Sequence, residues 1–99
     1  MTINRYAARV DHNQAEIVSA LRAAGASVWI IGLPVDLLVG YCGKTALVEV
    51  KRLEGKRAPK AAAHTRLQKG FMLEWKGGLV ATVTDVAGAL LVLRTMEAP

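Results

Sequence analysis

Two acids and an amine, Asp36, Glu49 and Lys51, stand on two apolar runs separated by a very short turn. Brought together, side chains of these types can hold a divalent cation and steady negative charge beside it, which is chemistry suited to phosphate esters. Their convergence depends on register. Reading 35–41 and 45–51 as strands around Cys42-Gly43 makes a two-residue hairpin that pairs Tyr41 with Lys44. Counting outward from that turn, Asp36 falls opposite Glu49, and opposed residues of an antiparallel pair have Cβ atoms about 4.5–5.5 Å apart. Alternation puts Lys51 on the face of Glu49 and sends Val48 and Val50 to the other. Two acids this close repel, so one should take up a proton unless a cation is present, and Lys51 relieves the repulsion only in part.

The elements that must position these residues follow from periodicity. His12-Asn13 reads as a cap for a helix over 14–24 with Ile17, Val18 and Leu21 on one face, and Gly25 ends it. Glu16 lies in its first turns, at the edge of that apolar face. Residues 27–31 form a compact β-rich strand, broken by Gly32-Leu33-Pro34 before the hairpin. A second helix opens at His64 or Thr65 and runs to about Lys76, with Leu67, Phe71, Met72 and Trp75 as its buried stripe. Gly77-Gly78 ends it, 79–84 is a further strand, and Asp85 caps a last helix over 86–93, with the ends 1–10 and 95–99 expected to be flexible. Trp29 and Trp75 read as core residues rather than base-stacking platforms, and Cys42 as incidental to the turn. The order is α-β-β-β-α-β-α, a mixed α/β sandwich in one domain spanning 1–99.

Composition narrows the partners. The chain is 53% hydrophobic but only 5% aromatic, so aliphatic packing dominates, and surplus apolar surface on so small a domain suggests a homodimer. The formal charge of +5 is unevenly spread: 51–70 holds seven basic residues against Glu54, a local +6 that leaves −1 for the remainder. Such a stripe, on a segment whose 52–63 portion reads as a mobile basic loop, suits a polyanion, with phosphate the leading candidate. A single cysteine, Cys42, excludes an intrachain disulfide or a multi-cysteine metal site and fits a reducing cytoplasm. The polar stretch 1–9 has no signal-peptide core. The apolar stretch 26–42 is interrupted by Pro34 and by Asp36, and an acid deep in a span costs about 2.5–3.5 kcal/mol, so no membrane segment is expected.

Pro34-Val35-Asp36, followed thirteen residues after the aspartate by Glu49-Val50-Lys51, resembles the PD-(D/E)XK nuclease signature. From about Asp11 to Leu93 the chain is similar to the VRR-NUC family, particularly its small stand-alone members of the kind found in bacteriophages. The resemblance implies a restriction-endonuclease-like α-β-β-β-α-β core with a mixed sheet flanked by helices. Asp36, Glu49 and the main-chain carbonyl of Val50 would then hold Mg²⁺ or Mn²⁺, hard cations that select oxygen. Lys51 would position the attacking water and stabilise phosphoryl charge. Glu16 would be the family's additional acid, serving water on the metal or a second metal, and Gln68 the polar residue of the later helix facing the site. One departure is that Val35 separates Pro34 from Asp36; the proline carries no chemistry.

The expected activity is metal-dependent endonucleolytic cleavage of DNA, branched or junction-containing DNA included, by a homodimer in a bacterial or phage-infected cytoplasm. Arg52, Lys56, Arg57, Lys60, His64, Arg66 and Lys69 would meet the phosphates. The alternative is a nucleic-acid-binding module that keeps the fold without cutting. A third reading, a basic structural protein, leaves Glu49 and Lys51 as a pair on an exposed strand and expects no metal binding.

Overall fold

The computed structural model describes residues 12–52 and 66–99. In chain order they form α1 (His12–Ala23), β1 (Ser27–Ile30), β2 (Leu37–Tyr41), β3 (Lys44–Val50), α2 (Arg66–Glu74), β4 (Leu79–Val83) and α3 (Val86–Met96). This is an α/β arrangement with three helices and a four-stranded mixed sheet of order β1-β2-β3-β4. The first three strands run antiparallel and β4 runs parallel to β3. The parallel pair requires a crossover, and α2 lies within it.

The hairpin forms as its turn chemistry demands. Cys42 and Gly43 both take left-handed backbone (φ 53° and 75°), the geometry of a two-residue type I′ turn, and Tyr41 pairs with Lys44. Alternation then sorts β2 and β3. Leu37, Val39, Ala46 and Val48 point to one face and are sealed from solvent. Ile17, Val18 and Leu21 of α1 and Ala89, Val92, Leu93 and Met96 of α3 close over that face. Each valine, leucine, isoleucine or methionine so buried contributes about 1.5–3 kcal/mol, which is how a chain with few aromatics holds together. Gly25, at φ +102°, ends α1, and Asp85 Oδ1 accepts the Gly88 amide at 2.7 Å to start α3.

Four expectations need correction. Asn13 belongs to α1 rather than preceding it, and its side chain bonds outward, not to its own helix. The inward row of α2 is one residue out of step with its apolar spacing. Gln68 is the residue it buries, Phe71 and Met72 are half-buried, and Leu67 is 62% exposed. Trp75 is also exposed, its ring tilted 33° against Phe71 with centroids 5.2 Å apart. Trp29 is no core residue: it is 71% exposed, because Val28 takes the inward position on β1 and alternation turns its neighbour out. Finally, α3 runs to Met96 rather than 93, with Met96 buried. The residues after it meet the hairpin, since Tyr41 donates to Glu97 Oε2 at 3.1 Å and the Lys44 ammonium to the Ala98 carbonyl. The expectation for 1–10 and nearly all of the 52–63 loop falls outside the described residues. Among the described residues, no helix is long and apolar enough to cross a membrane.

Candidate active site

The face of the sheet opposite the aliphatic core carries the polar cluster. The Leu37–Val48 pair sets Asp36 against Glu49 at the next step, and the hydrogen bonds follow that register. Val50 N–H donates to Asp36 Oδ2 at 2.8 Å, and Asp36 N–H donates to Glu49 Oε1 at 3.2 Å. The second oxygen of Glu49 meets Lys51 Nζ at 3.0 Å, and that ammonium also donates to Gln68 Oε1 at 3.3 Å. Asp36, Glu49, Lys51 and Gln68, from β2, β3 and α2 or their ends, therefore form one continuous network. Glu49 is only 3% exposed, so the pair it makes with Lys51 is not the exposed strand pair of a featureless surface.

Burial first, and then the charge and hydrogen bonding of Glu49, push the Asp36 carboxyl up to about 6. The Val50 amide and the Lys51 ammonium pull the other way without prevailing. With both acids ionised the cluster is −2 against the +1 of Lys51, a deficit of positive charge in a half-dry place. That donor set tests well against Mg²⁺ or Mn²⁺. It is all oxygen, and Mg²⁺ is commonly bound by one or two carboxylates with waters and substrate phosphates completing the shell. Among the described residues no three His, Cys, Asp or Glu side chains form a potential metal group; the protein's share of any metal shell would be the two carboxylates, with the Val50 carbonyl as the third donor that the resemblance implies.

Glu16 stands apart from this network. Its carboxylate meets His12 Nε2 at 3.4 Å, and it lines a cleft of about 270 Å³ with His12, Asn13 and Arg52. The cleft adjoins the strand exit, because Asn13 Nδ2 donates to the carbonyls of Lys51 at 3.4 Å and Thr84 at 3.1 Å. Of the expected phosphate contacts, Arg52, Arg66 and Lys69 are exposed, whereas Lys56, Arg57, Lys60 and His64 lie outside the described residues. The mostly apolar groove of about 430 Å³ between Lys44, Leu47, Trp75 and Met96 is lined from the turn end of β3 and holds no acid, so it is not where this chemistry sits.

Sequence reasoning missed two residues. Asn13 has a type that suits a cap, and nothing local distinguishes capping from cross-linking three elements. Thr82 pairs with Glu49 across the parallel β3–β4 ladder, a register that no turn residue announces. Comparisons with known protein families, with curated proteins and with solved structures find no significant match.

Proposed function

We propose that this chain is a Mg²⁺- or Mn²⁺-dependent endonuclease that hydrolyses DNA phosphodiester bonds, on a restriction-endonuclease-like fold of the VRR-NUC kind. One observation carries the reading: two adjoining carboxylates, one of them held near 6, share a buried face with a lysine fixed on two sides. Asp36 and Glu49, with the Val50 carbonyl, would hold the cation. When bound, it would supply Lewis-acid charge to a phosphoryl oxygen and to the nucleophilic water.

The remaining work belongs to the protein. At neutral pH Asp36 is predominantly ionised, ready to act as an oxygen donor. Lys51, oriented by Glu49 Oε2 and Gln68 Oε1, presents an ammonium where charge on phosphorus oxygens grows in the transition state. Its placement costs little at the moment of reaction because both partners already hold it. Resemblance implies products with 5′-phosphate and 3′-hydroxyl ends. A homodimer acting in a bacterial or phage-infected cytoplasm, with two sites cutting two strands, completes the proposal.

Incubating the protein with linear and branched DNA, with Mn²⁺ or with EDTA, tests it. Cleavage should require the metal, and Lys51→Ala should lower the rate about 10²–10³-fold, the usual loss when a transition-state charge donor is removed. A folded Lys51→Ala protein as active as the parent sinks the assigned chemistry. Tight, metal-independent binding with no cut product would leave the non-cleaving module in its place.

A further inference from the structure

The carboxylate face does not end at its acids. Trp29 pairs with Leu38 across β1 and β2, and Leu38 pairs in turn with Leu47. These three share the outward face, one row along from the Asp36–Glu49 step. Asp36 lies two residues from Leu38, so Trp29 is its diagonal neighbour, and diagonal neighbours lie about 7–8 Å apart. The indole is 71% exposed, and its cross-strand partner Leu38 is itself 36% exposed. An indole so exposed, in a row with Leu38 and Leu47, offers a flat apolar face to a partner of like shape.

We infer that Trp29 is a base-stacking platform, which takes an unpaired nucleobase next to the phosphate that Lys51 would meet beside Asp36 and Glu49. The inference rests on the phosphodiesterase reading and extends it to a substrate class: strands with unpaired nucleotides at the scissile position, as in single strands, flaps or open junctions. Three observations choose this occupant. The indole and the acids share one sheet face, in adjacent rows of the β1–β2–β3 register. Exposed Arg66 and Lys69 belong to the same α2 that delivers Gln68 to Lys51, so positive charge for a strand's backbone adjoins the site. The segment 51–70 carries a net +6 in the sequence, and such a charge complements a polyanion. In a closed duplex both faces of each internal base are already stacked, so the indole offers such DNA nothing. A splayed base has a free face, and stacking it on an aromatic ring is favourable for every base type.

The test uses the full chain in EDTA, where cleavage should not interfere. Fluorescence of the parent minus that of Trp29→Phe isolates the Trp29 signal. A short oligo(dT) should quench it to saturation, and a blunt duplex of equal length should not. Trp29→Ala should weaken oligo(dT) binding about 5- to 100-fold with duplex binding unchanged, while Trp29→Phe keeps most of the affinity. Equal quenching by both DNAs, or unaltered oligo(dT) affinity in Trp29→Ala, overturns the platform. If that variant instead only converts a dimer to a monomer in sedimentation, the face is an interface between copies and the platform is again overturned. Trp29-dependent binding by a protein that cuts nothing with Mn²⁺ would retain the platform and remove the nuclease.

Discussion

Asp36 sets the pH behaviour of the cluster, and its sign can be worked out. Its folded-state carboxyl sits at about 6, above the ordinary 3.8, because burial and Glu49 both disfavour the charged form. The folded protein therefore holds a proton that the unfolded chain has released throughout that interval. Stability from this group is fully present below 3.8 and is lost as pH rises through about 6. In EDTA, the melting temperature of the parent relative to Asp36→Asn should thus decline between pH 4.5 and 7, as thermal unfolding would record. A cation needs the same carboxylate deprotonated, so apparent Mn²⁺ affinity should be level above pH 6.5 and fall about tenfold per pH unit below 5.5. Calorimetric titration showing equal affinity at pH 5 and pH 7 would exclude Asp36 as a ligand. At this scale the sequence is most informative: residue types plus one turn suffice to bring Asp36, Glu49 and Lys51 together, because a two-residue hairpin leaves the register no freedom.

Elements were less legible where an apolar pattern could not tell its two faces apart. Residues 28–31 and 37–39 are continuously apolar, so nothing in them says that Val28 points to the core and Trp29 away. That choice comes from the sheet, once Val39 has been committed to the core opposite Val28. On α2 the spacing of Leu67, Phe71 and Met72 suggests one stripe, but the position facing Lys51 is that of Gln68, and a half-buried ammonium requires an acceptor more than the core requires another leucine. Asn13 shows the same limit. Its amide joins α1 to the ends of both β3 and β4 through the Lys51 and Thr84 carbonyls. Asn13→Ala should cost about 1–2 kcal/mol in urea denaturation, as expected for losing two part-buried amide hydrogen bonds. Asn13→Ser discriminates between roles. Serine is as good a cap as asparagine but too short to reach two carbonyls, so a cross-link is lost as fully in Asn13→Ser as in Asn13→Ala. Parent-like stability in Asn13→Ser would return Asn13 to the capping role.

At the scale of the whole molecule, charge and apolar surface are separated along the chain, and this separation should govern how DNA is approached. The core face is sealed by α1 and α3, the opposite face carries the acids, and the +6 of 51–70 enters and leaves the site through Lys51 and Gln68. Phosphate contacts release counterions, so log affinity falls linearly with log salt at a slope of about −0.9 per phosphate neutralised on duplex DNA. If the stripe makes those contacts, replacing Lys56, Arg57 and Lys60 together with alanine should flatten the slope by up to about 2.7, each residue answering for one phosphate. Replacing Arg9, Arg22 and Arg94, equal in charge but remote from the stripe in sequence, should leave the slope of the parent. Anisotropy titrations of a labelled duplex from 50 to 300 mM salt, about a sixfold range in counterion activity, resolve that difference. Equal slope changes in the two triple variants would mean that net charge alone attracts DNA. The stripe would then have no privileged role, and the acids would meet their phosphate without guidance from the adjoining chain.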